Sequence, residues 1–269
     1  MPTVSELFKN VQLPTMPEVA QSLIKSLNDE DAPVSVVRNA IIKDPGLTVK
    51  LIRLANSARF GLSRQISSVD EAIAMLGMGQ VRTLALGSCL NSAFPVAEGL
   101  DRKVFWSESM ASAGYAQWLA SGIGADSQEA WLTGFMMRLG ELCMAQAVPG
   151  CLKEIEKQPH YPGGRWEREI GSIGLSEGQV TAEMARRWNF PDSIVNGLDH
   201  SADPLTSKPF SRLAAVVHVA ELLAEMAPES ADVIDDLPAD VLTKLQIDLN
   251  WMRKRMPMME VMADTSTLQ

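Results

Sequence analysis

The chain has 269 residues, 46% of them hydrophobic but only 6% aromatic, and a formal net charge of −9. That length fills one large domain or two modest ones. The aliphatic, methionine-rich composition favours helix over sheet, and the acidic balance argues against general nucleic-acid binding, which needs clustered Lys and Arg.

Helical signals follow one another along the chain with short breaks. In MPEVAQSLIKSLND, Val19, Leu23, Ile24 and Leu27 share one face at helical spacing. Ser35 is placed to cap VVRNAIIKD. Asp44-Pro45 opens GLTVKLIRLANSA, the carboxylate serving as cap and the proline filling the first turn, where no N–H is needed. In ISSVDEAIAMLGMG, Ser68 and Glu71 match a capping box, and Gly77 ends that helix before VRTLALGSCLNSAF begins. The pattern pauses at FPVAEGLD, 94–101. VFWSESMASAGYAQWLASGIG and EAWLTGFMMRLGELCMAQAV then read as two further helices. EKQPHYPGGRWE, 156–167, holds two prolines and two glycines and predicts an exposed connection. Helices resume at SEGQVTAEMARRWNFP, PDSIVNGLDHS, SRLAAVVHVAELLAEMA and PADVLTKLQIDLNWMRKR, and the closing ADTSTLQ reads as frayed. With no repeat and no low-complexity linker, the two halves are expected to pack as one unit.

Cys89, Cys143 and Cys151 are too few and too scattered for a disulfide framework or a thiolate metal cage, and read as reduced thiols. No run approaches the ~20 apolar residues of a membrane span, and MPTVSELFKN lacks a signal peptide's basic-then-apolar order. A cytoplasmic protein without membrane association is therefore expected. Among the histidines, His160 falls in the proline-glycine stretch and His218 in a core helix, leaving His200 in LDHSADP as the best candidate ligand. No nucleophile elbow, P-loop or dinucleotide fingerprint is present. Lys50, Arg53, Arg59, Arg64 and Arg82 form a locally basic stretch opposed only by Asp70 and Glu71. Its connection SARFGLSRQISS is far longer than the tight turn of a helix-turn-helix reader.

Three segments, LPTMPEVA, KDPGLTVKLIRLANSARFG and ISSVDEAIAMLG before QVRTLAL, resemble the opening of the HDOD family, bacterial signalling output domains related to the HD metal-dependent phosphohydrolases. FWSESMASA, TGFMMRLGEL, SEGQVTAEMARRWNFP and LAAVVHVAELLAE are similar to the family's second half. The resemblance implies an all-α fold, a multi-helix HD-related bundle forming a single unit over 1–269. In it an N-terminal helical subdomain, 1–97, packs on a degenerate HD-like subdomain, 98–269.

The resemblance also implies a site. HD-type enzymes carry a histidine after an FW pair, where this chain has Glu108, and a His-Asp doublet before a Leu-Gly, where it has Met137-Arg138. Glu177 stands where a histidine precedes the turn of the next helix, His200 lies close to a later histidine, and Glu221 replaces a closing aspartate. A guanidinium offers no lone pair and repels a cation, and thioether sulfur suits hard ions poorly. The resemblance thus implies no catalytic residue, no metal and no cofactor. Arg138 is expected to replace the ion's charge among Glu108 and Glu177 or Glu221. The implied function is a non-catalytic output or interaction module that binds a signalling protein partner or a small anionic ligand such as a nucleotide. Asn56, Ser57, Arg59 and Arg64 form the candidate interaction surface. The alternatives are a metal-dependent phosphohydrolase with an atypical site and a DNA-associated transcriptional regulator.

Overall fold

A computed structural model describes residues 3–29, 31–57, 60–61, 64–95, 97 and 100–263. Among these residues the regular structure is helical, without a strand, so the all-α expectation is met. After the short α1 (Val4–Leu7), α2 (Glu18–Leu27) buries Val19, Leu23 and Ile24, the face that its spacing marks as apolar. α3 (Val34–Ile42) starts at Pro33 without a side-chain cap, so Ser35 sits inside the first turn and does not cap it. α4 (Pro45–Ala55) opens as expected, the Leu47 N–H donating to the Asp44 carboxylate at 3.0 Å. α5 (Val69–Leu76) is capped by the Ser68 hydroxyl, which accepts from the Glu71 N–H at 3.1 Å. The Glu71 carboxylate reaches back to the Ser67 N–H at 2.7 Å, one residue short of a full capping box. Gly77 turns the chain at φ 84°, a left-handed backbone that suits glycine, straight into α6 (Met78–Ala93).

α7 (Arg102–Gly122) runs alongside α8 (Ser127–Met136), followed by α9 (Leu139–Ala147) and α10 (Cys151–Glu156). The stretch read as one helix over 129–148 is therefore broken at Met137 and Arg138. The reason is tertiary. α12 (Glu177–Arg187) crosses α9 so closely that a Cβ on Gly140 would lie 2.1 Å from the Glu177 carbonyl oxygen. The break frees backbone groups, and Thr181 of α12 takes them up. Its hydroxyl accepts the Gly140 N–H at 2.7 Å and lies 2.7 Å from the Met137 carbonyl, to which it donates.

The segment 156–167 corrects a second expectation. Its first part is exposed, but α11 (Gly164–Ile173) begins inside it and buries Arg165 and Trp166. Gly163, at φ 76°, makes the turn, and its N–H donates to the Glu225 carboxylate at 2.6 Å. The chain continues through α13 (Asp192–Asp199), α14 (Arg212–Met226), α15 (Ala239–Leu245), α16 (Leu249–Arg255) and α17 (Met259–Met262). All but the first residue of the closing ADTSTLQ lies outside the described residues.

α7 packs against α8 and α14, α12 against α9 and α13, and α6 joins α4 to α8. The buried apolar side chains form a continuous cluster from Leu7 to Met252. The amino-terminal helices are tied to the end of α12 by the Asn28 amide donating to the Asn189 carbonyl at 2.9 Å and by the Arg187 guanidinium over the Phe8 ring at 4.6 Å. No described helix is long and apolar enough to cross a membrane.

Candidate functional site: a buried network of arginines and glutamates

Six helices and the break between α8 and α9 aim charged side chains at one another. At the break, Arg138 is almost fully buried. Its Nη1 lies 2.5 Å from Glu108 Oε2 of α7, its Nε 2.8 Å from Glu141 Oε1 of α9, and its Nη1 3.6 Å from Glu221 Oε1 of α14. A second arginine, Arg165 of α11, reaches Glu141 Oε2 at 2.7 Å and Glu156 Oε1 at 2.7 Å. It also lies 3.2 Å from Glu169 Oε1 and 3.7 Å from Glu177 Oε2. Glu141 thus bridges the two guanidinium groups, one carboxylate oxygen to each.

The electrostatics follow from burial. Glu141, Glu169, Glu177 and Glu221 are fully buried and only Arg138 and Arg165 are buried among them as cations, so the four carboxyls cannot all ionise cheaply. Burial opposes the charge of Arg138, yet the fields of Glu141, Glu108 and Glu221 outweigh it and hold its pKa well above the ordinary value. Burial likewise tends to raise Glu141, but Arg138 and Arg165 together bring it below the usual carboxylate value. Glu169 and Glu221 are pushed up to about 7, chiefly by burial, against the partial relief of Arg165 and Arg138 respectively. Glu177 is raised well above its ordinary value, through burial and the nearby charges of Glu169 and Glu141.

Three of the residues singled out from sequence, Glu108, Arg138 and Glu221, therefore meet. Glu177 joins the same network through Arg165. Met137 is a fully buried apolar side chain whose backbone carbonyl accepts from the Thr181 hydroxyl. His200 closes α13 with its Nδ1 3.2 Å from the Asn196 carbonyl oxygen and takes no part. His218 is a core histidine. Its Nδ1 sits 2.8 Å from the Ser201 carbonyl oxygen, its ring stacks on Trp166 at 4.7 Å, and burial lowers its pKa. Sequence reasoning missed Glu141, Arg165 and Glu169. Their signal was the spacing, Arg138 to Glu141 at i+3 and Arg165 to Glu169 at i+4, which pairs charges once both stretches are taken as helical.

The amino-terminal candidates fare differently. The Asn56 amide clamps the following loop, accepting the Ile66 N–H at 2.7 Å and donating to the Ile66 carbonyl at 2.7 Å. Ser57 is half-buried, Arg64 is exposed, and Arg59 lies outside the described residues. Among the other cations of that stretch, Arg82 is half-buried and donates to the Ser26 carbonyl at 2.7 Å, and Lys50 donates to the Ser92 hydroxyl at 2.7 Å.

A divalent metal of the kind HD enzymes use does not fit this donor set. A cation placed among Glu108, Glu141 and Glu221 would meet the Arg138 guanidinium already held there. Among the described residues, no group of three or more His, Cys, Asp or Glu is arranged to hold an ion. Over the network opens a cleft of 490 Å³, whose wall includes Glu108, Arg138, Glu156, His160, Arg165 and Arg168.

Residues 13–204 match the HDOD domain family. A candidate phosphohydrolase from Shewanella amazonensis SB2B is similar in structure, with a TM-score of 0.79 and 26% identity over 98% of each chain. A candidate signal transduction protein from Marinobacter aquaeolei VT8 has a TM-score of 0.76 at 23% identity, covering 98% of this chain and 59% of that one. An uncharacterised protein of Treponema pallidum is 23% identical over 216 residues, which span 78% of this chain and 42% of the relative's length.

Proposed function

Because this chain belongs to the HDOD family, we propose that it is a signal-transduction output module that binds its ligand or partner without turning it over. The observation that carries the reading is Arg138, seated between Glu108, Glu141 and Glu221 with hydrogen-bonding distances to the first two. A metal ion in such a cavity would polarise a substrate oxygen or activate a water. A guanidinium supplies the positive charge but has no open coordination position, so it satisfies the acids and activates nothing. In this reading Met137-Arg138 stand in for the His-Asp doublet. The 98–269 subdomain keeps the charged cleft, and 1–97 offers Ser57 and Arg64 to a signalling protein in the cytoplasm. The similarity to a candidate signal transduction protein of Marinobacter aquaeolei fits that setting.

The likeness to a candidate phosphohydrolase favours a second reading, hydrolysis at an atypical metal site. Loading the purified protein with Mn²⁺, Mg²⁺ or Zn²⁺, desalting it and measuring retained metal separates the two. Turnover of bis(p-nitrophenyl) phosphate with and without chelator is measured on the same samples. Binding without catalysis predicts less than stoichiometric metal and no chelator-sensitive turnover. Stoichiometric metal with turnover that E108Q or E221Q abolishes would overturn it.

A further inference from the structure

Arg168 of α11 stands apart from the two arginines of the network. It is 6% exposed and lines the 490 Å³ cleft, yet among the described residues no carboxylate forms an ion pair with it. Its Nη1 donates to the Pro159 carbonyl at 3.0 Å and its Nη2 lies 3.4 Å from His160 Nδ1, while its Nε has no partner. A buried guanidinium without a counter-ion is costly. The acids nearby are already engaged: Glu108 by Arg138, Glu156 by Arg165 and His160, Glu225 by the Gly163 N–H, and Asp101 by the first turn of α7.

We propose that the cleft binds a small metabolite through a singly charged oxyanion, a phosphodiester or a carboxylate, seated on Arg168. The proposal rests on the non-catalytic reading and adds the ligand class and the residue that recognises it. The single charge comes from the balance at the cleft. Arg168 supplies one uncompensated positive charge, so a monoanion neutralises it. A phosphomonoester dianion would leave a negative charge facing Glu108, Glu156 and Glu225. The volume suits such a molecule, since small-ligand sites commonly measure about 300–1,000 Å³. The planar fork of arginine matches the paired oxygens of either group.

The test titrates the full chain with 3′,5′-cyclic AMP, dimethyl phosphate, acetate, 5′-AMP and adenosine at constant ionic strength. Calorimetry reads affinity and NMR follows the arginine Nε–Hε signals. At least one monoanion is expected to bind and to shift the Arg168 signal, with adenosine silent and 5′-AMP weaker than cyclic AMP. The phosphodiester and acetate arms tell the two sources of the oxyanion apart. R168Q should weaken binding by roughly 10- to 100-fold, the effect of losing a charge-assisted hydrogen bond, and R168K should recover part of it. Silence of every monoanion, tighter binding of 5′-AMP, or an R168Q variant that binds unchanged would overturn the proposal. The wild-type NMR readout keeps the test valid if R168Q does not fold. Each bound probe is also assayed for hydrolysis. Binding with turnover would overturn the non-catalytic reading alone, whereas failure to bind would overturn the oxyanion site and leave that reading standing.

Discussion

Arg138 shows how much one side chain decides. Its charge is matched by Glu108 and Glu141 in a nearly water-free setting, so it cannot be removed without leaving carboxylates unpaired. Breaking a buried pair by deleting one partner costs about 3–5 kcal/mol. R138M should therefore lose roughly that much stability in urea unfolding at pH 7.5. The deficit should shrink at pH 5, because the buried Glu141 and Glu221, without the cation that favours their charge, take up protons more readily there. An equal deficit at both pH values would mean that packing, and not charge, is what Arg138 supplies. Asn56 makes the complementary point. Both ends of its amide are used by Ile66, so N56A should cost about 1–3 kcal/mol, two hydrogen bonds at about 0.5–1.5 kcal/mol each. A thermal melt of N56A reads this directly.

At the scale of elements, the caps were legible and the breaks were not. Asp44 and Ser68 cap their helices because a short oxygen-bearing side chain ahead of an apolar run is a local signal. Ser35 failed because Pro33 already begins the turn. The interruption at Met137 and Arg138 leaves no local trace, since the apolar pattern runs straight through it and only the approach of α12 produces it. Likewise, two prolines and two glycines hid the start of α11, and with it Arg165 and Arg168. Glu108, Arg138 and Glu221 could be singled out because the family resemblance fixed their positions. Glu141 and Glu169 had no such guide. The crossing itself is testable. In G140A the new Cβ would press on the Glu177 carbonyl at 2.1 Å, backbone against backbone with no flexible tip to yield. Overpacking of this kind costs about 1–3 kcal/mol or more. T181V, which removes the hydroxyl shared by Gly140 and Met137, should cost about 1–3 kcal/mol through the unpaired backbone groups. Chemical denaturation of both variants gives the values, and wild-type stability in G140A would mean that α9 and α12 are not held at this distance.

For the molecule as a whole, the network makes stability depend on pH across the neutral range. Glu169 and Glu221 titrate at about 7 in the folded chain, and Glu177 is also held well above the ordinary carboxyl value of 4.5. Between those limits the folded state holds protons that the unfolded state has released. Stability from these groups is thus fully present below pH 4.5 and is lost as pH rises through about 7, at about 1.4 kcal/mol per pH unit for each proton. Two groups pull the other way. His218, held below its ordinary 6.5 by burial, binds fewer protons when folded, so its contribution is lost as pH falls through that region. Glu141, depressed by its arginines, loses its contribution only at lower pH, as its folded-state pKa is crossed. Three carboxyls against one imidazole leave a net proton uptake on folding. Unfolding free energy in urea should therefore fall from pH 5 to pH 8. The double substitution E177Q/E221Q, which fixes two of the sites in a neutral form, should flatten most of that slope while leaving the His218 contribution. A profile that rises from pH 5 to pH 8 in the wild-type chain would show that the buried glutamates are ionised together, and that Arg138 and Arg165 carry more of their charge than the geometry allows.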